Sequence, residues 1–507
     1  MDQSTTPLVE ALQRCAIRPN AAFHTPGHKR GQGITSRQQA LFGLAAFQSD
    51  LPELPELDNL FAPEGVILQA QQLAAEAFGA QQTWFLANGS TCGIEAAILA
   101  TCGPGDKIIL PRNVHTSAIA GLILSGAVPI YISPPYSAEW NIPIGINAQA
   151  IATALNQHPD AKAVFLVSPT YEGICSNLKA IAQVVHTKNI PLIVDEAHGP
   201  HFAFHPALPA SALAAGADIA VQSAHKVLSA FTQAAMLHTQ GDRIDRNRLT
   251  HSLQLTQSSS PSYLLLGSLD AARYQMAIQG HTLLSQTIAL AERAQNALEA
   301  LPGISVLRPQ GDRYSDSQYI FNGDCTRLTV NVSGLGLTGF EADDILHTQY
   351  AVTAELPTLS NLTFILSIGN TSADIDQLID GFKSLCKSHA ASAQMPTASA
   401  RTPSVHTPSI HTPANTELAF SPISPRQAFF AAKTPLPTDQ AIGKICAEIL
   451  CPYPPGIPVL FPGEPITEGA IAYLQATLIA GGIVTGCNDP TLQTILTMTP
   501  PTPVSFR

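Results

Sequence analysis

The sequence predicts an α/β fold in which helices cover both faces of a doubly wound, mostly parallel sheet. Two observations support this prediction. Short apolar runs alternate with helical patterns up to about residue 240, the order expected of parallel strands joined by crossover helices. Polar residues lie just after several of these runs, where such sheets bind ligands. These polar residues are Ser90, His115, Thr170, Asp195 and Lys226.

Composition limits the number of domains and the class of partner. The chain has 507 residues, 45% hydrophobic and 12% charged, which allows a large core and roughly two to four domains. A net charge of −11 argues against nucleic acid or an anionic membrane as partner. The 9 cysteines are scattered and form no CxxC pair, which fits reduced thiols in a cytosol better than disulfides or zinc. No signal-peptide pattern or membrane-length apolar run is visible, so we expect a cytoplasmic protein.

Two helices are predicted before the first strand, with a loop and a proline-broken segment between them. Residues 8–17 have apolar positions at helical spacing and predict a short docking helix. The donor-rich loop 23–31 could bind a carboxylate or phosphate, but a solvated connection is the simpler interpretation. An acidic, proline-broken segment at 50–65 then leads into an amphipathic helix at 66–78.

A turn rich in glycine and hydroxyl groups follows the first predicted strand, 83–86. This turn, Asn88-Gly-Ser-Thr91, opens a helix that we expect at 94–101. Free N–H groups and the helix dipole favour an anion at such a position. Capping by Asn88 or Ser90 is the alternative.

Further apolar runs predict the remaining strands of the sheet. They are 107–110, 128–132, 163–167, 191–194 and 218–221. His115 comes soon after the first of these runs, where an imidazole can stack on a flat cofactor ring. A lone histidine is more often an ordinary hydrogen-bonded residue, so this interpretation depends on the other motifs.

Asp195 comes directly after one predicted buried strand, and Lys226 follows within five residues of another, as a pyridoxal phosphate (PLP) site requires. The lysine amine can form a Schiff base with the cofactor. The carboxylate can keep the pyridinium nitrogen protonated, so that the ring accepts electrons. Taken alone, these two segments also fit an ordinary strand pair that ends in surface residues.

Three imidazoles within eight residues, His198, His201 and His205, raise the question of a metal site. Gly199 and Pro200 break any helix that would align them, so we predict no metal ion here.

The second half of the chain predicts two further units. A helix at 269–301 leads to strands at 327–332 and 363–368 and helices at 339–347 and 373–386. A linker at 389–416 is rich in Pro, Ser and Thr and repeats five residues almost unchanged. Helices at 438–450 and 466–480 predict a third unit. We therefore expect an N-terminal segment (1–55), a large domain (56–275), a small α/β domain (276–388), the linker, and a C-terminal α+β domain (417–507).

Ordered motifs along nearly the whole chain resemble one family. They include FHTPGHKRG (23–31), NGST (88–91), PRNVHTS (111–117), DEAHG (195–199), QSAHK (222–226), SPSYLLLGSLDAAR (260–273) and CPYPPGIPVLFPGE (451–464). The chain resembles the ornithine/lysine/arginine decarboxylases of the aspartate aminotransferase-like PLP superfamily (fold type I), in a short form without a receiver-like N-terminal domain. The linker departs from the pattern and looks like an insertion.

The resemblance implies roles for the matching residues. Lys226 would hold PLP covalently, Asp195 would pair with the pyridine nitrogen, and His115 would stack on the ring. The residues that would hold the phosphate are Ser90, Thr91 and Ser223.

Ala197 and His198 would lie close to the other ring face. His225 would contact the cofactor or the reacting carbon, and His225 or Lys226 would return the proton after carbon dioxide leaves.

The implied substrate is arginine, lysine or ornithine, whose distal cation needs a carboxylate. The candidates are Glu464, Glu355 and Glu64, together with Glu53, Glu56 and Asp58 of the acidic segment. The resemblance also implies a homodimer or larger homo-oligomer with its site at a subunit interface, and a role in polyamine metabolism. An aminotransferase or aldolase on the same fold, or a non-catalytic relative, remain the alternatives.

Overall fold

The structure is a computed structural model that describes residues 1–308, 322–389, 419–420, 423–453 and 456–499. The predicted linker at 389–416 lies outside the described residues apart from residue 389. Within the described part of the chain, no helix combines the length and apolar character needed to cross a bilayer.

The large domain is built on an eight-stranded sheet. The first ten strands of the chain, β1 to β10, are Gln82–Leu86, Lys107–Pro111, Val128–Ile132, Tyr136–Ser137, Ile142–Pro143, Ala163–Val167, Ile174–Cys175, Leu192–Asp195, Ile219–Gln222 and Ala235–Thr239. The sheet order is β1-β10-β9-β8-β6-β2-β3, and Ala419–Phe420 pairs with β3 at the far edge. The five strands from β9 to β3 are parallel, whereas β10 is antiparallel to both its neighbours. The predicted parallel-rich α/β fold is therefore confirmed.

The parallel strands are buried on both faces, as parallel sheets require. On β2, Ile108 and Leu110 belong to one hydrophobic cluster, and Ile109 between them belongs to the cluster on the opposite face. This alternation explains why the strands are continuous apolar runs in the sequence.

Helices pack on both faces of the sheet. Helices α1 to α11 are Pro7–Ile17, Ser36–Phe42, Leu44–Ser49, Val66–Phe78, Gly89–Thr101, Thr116–Ser125, Ala148–Gln157, Leu178–His186, Ala224–Val227, Arg246–Thr256 and Tyr263–Glu299. The long helix α11 runs through the expected domain boundary at 275. It also anchors the N-terminus, because Asp270 accepts a hydrogen bond from the backbone N–H of Leu8 (3.0 Å) and pairs with the buried Arg273.

The small domain is a four-stranded antiparallel sheet covered by two helices. Its elements are β11 (Ser305–Val306), β13 (Arg327–Asn331), α12 (Gly339–Tyr350), β14 (Leu356–Pro357), β15 (Asn361–Ile365) and α13 (Ser372–His389). The short β12, Asn322–Gly323, instead pairs with β7 of the large domain. This pairing brings the start of β13 against the large domain.

The C-terminal domain combines short strands and helices. They are β16 (Ala419–Phe420), α14 (Pro425–Phe430), β17 (Lys433–Pro437), α15 (Thr438–Ala441), β18 (Cys451–Tyr453), α16 (Glu468–Ile479), β19 (Ile483–Thr485) and β20 (Thr494–Met498).

The helix predicted at 438–450 is wrong, because only its first turn is helical. Gly443 has a positive φ of 78° and donates its N–H to the carbonyl of Ile466. Beyond it, Cys446 and Leu450 form isolated β-bridges instead of helical turns.

Candidate active site

The fold brings Asp195 and Lys226 to one edge of the sheet. Asp195 ends β8 and is paired in register with Val221 of the parallel strand β9. Lys226 lies on α9, the single helical turn that follows β9. Both side chains line one cavity, together with Ser90, His115, Ala197 and His198. Six of the predicted cofactor residues therefore share one pocket.

The carboxylate of Asp195 is buried, with 5% of the residue exposed. It accepts a hydrogen bond from the backbone N–H of Ala197 at 3.1 Å. Burial raises the pKa of Asp195 to about 6, and the nearby positive charge of Lys226 opposes the shift. The buried carboxylate of Asp195 therefore has few groups that stabilise its charge, and a cationic N–H group beside it would do so.

The amine of Lys226 lies 2.8 Å from Nε2 of His198 and 5.3 Å from the centre of the Tyr171 ring. Burial lowers the pKa of Lys226, and Asp195 acts in the opposite direction. Burial also holds the pKa of His198 well below its ordinary value, and the charge of Lys226 adds to this effect. The imidazole of His198 is therefore neutral.

His115 is the N-cap of α6, and its Nδ1 accepts a hydrogen bond from the backbone N–H of Ser117 at 3.2 Å. Burial lowers the pKa of His115 to about 4, with a smaller contribution from Lys226. The ring is thus neutral with its proton on Nε2. Its position in the pocket wall suits the predicted stacking role.

The N-terminus of α5 forms the polar end of the pocket. Asn88, at the N-cap position, makes no side-chain capping bond, which leaves the first N–H groups of the helix available to an anion. The hydroxyl of Ser223 donates to that of Ser90 at 2.9 Å. Thr91 occupies the same first turn and is exposed.

The other predicted residues lie outside the pocket lining. The ring of His225 donates from Nδ1 to the carbonyl of Ala234 (3.1 Å). Glu464 pairs with Arg112 at 2.7 Å, and Glu64 and Glu355 are exposed.

The acidic segment uses its carboxylates locally. Glu53 accepts a hydrogen bond from Asn59, and Glu56 pairs with Arg18. Asp58 accepts N–H groups at the start of α4, including that of Gly65 at 2.7 Å.

Sequence reasoning missed three residues at the site. Tyr171 and Glu172 line the pocket after β6, and the Tyr171 ring lies 4.5 Å from that of His198. The segment that contains them follows an apolar run, which was the available signal. Arg327 begins β13 in the small domain and donates to the carbonyl of His198 at 2.9 Å. No local signal in the sequence separates it from any other residue at the start of a strand.

Of the three clustered histidines, His201 pairs with Asp324 at 3.2 Å, and His205 stacks near His281 at the surface. Among the residues that the structure describes, no group of three or more His, Cys, Asp or Glu side chains is placed to hold a metal ion.

The pocket fits PLP on three observations. Asp195 is a buried anion suited to a protonated ring nitrogen, the uncapped end of α5 suits a phosphate, and the amine of Lys226 faces the same cavity.

Comparisons with known proteins identify the family of this chain. The family descriptions that match are "Orn/Lys/Arg decarboxylase, major domain" over residues 6–374 and "Orn/Lys/Arg decarboxylase, C-terminal domain" over residues 411–482. The arginine decarboxylase of Bacillus subtilis is 39% identical over 495 residues, which is 98% of each chain. That of Halalkalibacterium halodurans is 38% identical and covers 97% of each chain.

Among solved structures, lysine decarboxylase A from Pseudomonas aeruginosa matches with a TM-score of 0.80 at 22% identity, over 97% of this chain and 80% of that one. The lysine decarboxylase of Francisella novicida matches with a TM-score of 0.79 at 24% identity, over 97% and 79% of the two chains. At these identities the solved structures bear on the fold alone.

Proposed function

This chain belongs to the Orn/Lys/Arg decarboxylase family and decarboxylates a basic amino acid, and we propose that its substrate is L-arginine, converted to agmatine and carbon dioxide. The observation that carries this choice is the similarity to arginine decarboxylases, 37–39% identical over 97–100% of this chain. Relatives named lysine decarboxylase are 23–25% identical and are covered over only 75–78% of their length. Agmatine would place the enzyme in polyamine metabolism.

PLP is the proposed cofactor, because the pocket offers the groups that it requires. When bound, PLP supplies an electron sink that stabilises the charge left at Cα as the carboxylate departs. In this proposal Lys226 holds the cofactor covalently, and Asp195 keeps its ring nitrogen protonated. Ser90, Ser223 and the N–H groups at the start of α5 bind its phosphate.

The remaining pocket residues orient the reactants and exclude water. The neutral imidazole of His115 presents a flat, uncharged face to the cavity, and Ile457 of the C-terminal domain lines the same cavity. Lys226, whose pKa burial lowers, is the better placed general acid for the Cα proton because it faces the pocket. His225 remains the second candidate.

Glu172 is the proposed partner of the distal cation. It is half-buried in the pocket wall, and burial raises its pKa, as expected for a carboxylate that has no cation beside it among the residues that the structure describes. A guanidinium that enters the pocket would supply that cation. Glu355, whose charge acts on Lys226 and Arg327, is the alternative. Glu464 or Glu64 could serve only if another subunit or a rearrangement brought them to the site.

We also propose a homodimer or larger homo-oligomer. Phe23, Leu41 and Phe42 of the N-terminal segment are large apolar side chains that are 61–95% exposed. Such a surface is suited to burial against a second copy of the chain.

The test is a panel of L-arginine, L-lysine and L-ornithine supplied to the PLP-loaded enzyme, with carbon dioxide and the amine product measured. We expect turnover with arginine to exceed that with the others. Lys226→Ala should abolish release and the visible absorbance of the bound cofactor, whereas the exposed Lys179→Ala should preserve both. Amino transfer to a keto acid without carbon dioxide release would instead identify an aminotransferase.

A further inference from the structure

A line of buried polar contacts connects the small domain to the amine of Lys226. Arg327 and Asp324 have fully buried side chains, and Nη1 of the arginine lies 3.8 Å from the carboxylate. Nη2 of Arg327 donates to the carbonyl of His198 at 2.9 Å. Nε2 of His198 lies 2.8 Å from Nζ of Lys226. His198 is therefore held between two basic side chains.

Arg327 also determines what the imidazole of His198 can do. Its Nη2 lies 3.4 Å from Nδ1 of that ring. A guanidinium carries donors and no acceptor, so Nδ1 is favoured as the acceptor of this contact. The ring is neutral, since burial holds the pKa of His198 well below its ordinary value. A neutral imidazole carries one proton, which therefore lies on Nε2.

The proton on Nε2 sets the state of the neighbouring lysine. An ammonium group has donors only, so a charged Lys226 would place donor against donor at 2.8 Å. An uncharged amine has a lone pair and accepts from Nε2–H. The opposite tautomer would relieve this contact, but it would set Nδ1–H against the N–H groups of the guanidinium, and both groups are buried.

We propose that Arg327 is a positioning residue that fixes the proton of His198 on Nε2 and thereby keeps the amine of Lys226 uncharged before the cofactor attaches. The lone pair of the amine is then available for the aldehyde carbon of PLP. This role deepens the proposed function and rests on Lys226 being the cofactor lysine. In this proposal, a residue of the small domain controls the protonation state of Lys226 in the large domain.

Several other groups around Lys226 change the balance between its charged and uncharged forms. Asp195 and Glu355 favour the ammonium form, whereas Arg327 and burial disfavour it. The ring of Tyr171 lies 5.3 Å from Nζ, and the histidines whose pKa values its charge lowers are His115, His198 and His225. Of these described groups, Arg327 is the one that acts both by its charge and through the hydrogen bonding of His198.

Nitrogen-15 NMR of the full-length, cofactor-free protein labelled at histidine tests the tautomer directly. The His198 signals are assigned by their loss in His198→Gln. We expect a protonated Nε2 and an unprotonated Nδ1 in the wild-type chain. A proton on Nδ1 would overturn the proposal, and this measurement does not require any variant of Arg327 to fold.

The second test measures the reactivity of Lys226 with trinitrobenzenesulfonate from pH 6 to 9, read by mass spectrometry of the peptide that contains it. Arg327→Met removes the charge and the donors while preserving bulk, and Arg327→Lys retains a buried cation. We expect labelling near pH 7 to fall about tenfold in Arg327→Met, equivalent to one pH unit, and to recover in Arg327→Lys. Wild-type rates in Arg327→Met at every pH would contradict the proposal. Neither test measures turnover. A negative result in the substrate panel can therefore be distinguished from a negative result in these two tests.

Discussion

The guanidinium of Arg112 donates to the carboxylate of Glu464 at 2.7 Å, and each side chain is 16% exposed. Arg112 also donates to the carbonyls of Pro458 and Val459 and lies 4.2 Å over the ring of Phe461. This cluster joins the C-terminal domain to the end of β2, just before the segment that presents His115. The C-terminal domain therefore contributes to the shape of the active site.

Arg112→Met should loosen this junction. Removal of one partner of a largely buried ion pair leaves the carboxylate of Glu464 uncompensated, at a cost of about 3–5 kcal/mol. We expect faster hydrogen exchange at residues 456–464 and a lower unfolding midpoint in urea. Lys383→Met is the control, because its pair with Asp380 is exposed and contributes less than about 1 kcal/mol. Equal effects of the two substitutions would show that the junction is not a stabilising contact.

Gly456→Ala should disturb His115 in particular. Gly456 has a φ of +88°, and an added Cβ would lie 3.0 Å from Nε2 of His115. Gly443→Ala is a matched control, since Gly443 has a φ of +78° and open space around its Cβ position. Both variants should lose about 1–2 kcal/mol of stability from the backbone. Only Gly456→Ala should also lower kcat, by at least about tenfold if the ring moves by an ångström. Equal kcat values in the two variants would show that the position of His115 does not affect turnover.

Features that depend on residues close together in the sequence were predictable, and features that depend on contacts between distant residues were not. The placement of Asp195 and Lys226 at one edge of the sheet was predictable, because an apolar run in the sequence identifies the carboxyl end of a buried strand. Arg327 was not, since its contact with His198 spans 129 positions and depends on how the small domain docks. The helix predicted at 438–450 failed for a related reason. Ile445, Cys446 and Leu450 form isolated β-bridges with Pro465, Thr497 and Leu460, and a local pattern does not reveal such pairings.

Asp195→Asn should stabilise the cofactor-free protein while it abolishes turnover. Burial raises the pKa of Asp195 in the folded chain from 3.8 to about 6, so the folded state binds its proton more tightly than the unfolded state does. This contribution to stability is complete below pH 3.8 and is lost as pH rises through about 6. Asparagine stays neutral, so the free energy of unfolding of Asp195→Asn should exceed that of the wild type by about 3 kcal/mol at pH 7.5 and by about half of that at pH 5.

Urea denaturation of the cofactor-free wild type and Asp195→Asn at both pH values measures this difference. With PLP bound, the sign of this difference should reverse, because the wild-type carboxylate would then pair with the protonated ring nitrogen. A gain in stability that does not depend on pH would show that burial does not disfavour the charged form of Asp195.

Glu172→Gln should weaken arginine binding more than it slows chemistry. The substitution preserves shape and hydrogen bonding but removes the charge proposed to meet the guanidinium. A hydrogen bond to a charged group contributes about 1.5–3 kcal/mol, so KM should rise roughly 10- to 150-fold. The distal cation lies away from the reacting bond in arginine, and kcat should therefore fall by less than about threefold.

Glu355→Gln is the matched comparison, because Glu355 lies near Lys226 and Arg327 but is exposed and outside the pocket lining. If Glu172 binds the guanidinium, Glu355→Gln should leave KM within about threefold of wild type, since a solvated charge contributes little. The reverse result, a large KM effect at Glu355 alone, would transfer the role to the small domain. Norvaline, which lacks the distal cation, separates charge from shape: its weak binding should be equal in wild type and Glu172→Gln, because neither can gain an ion pair from it.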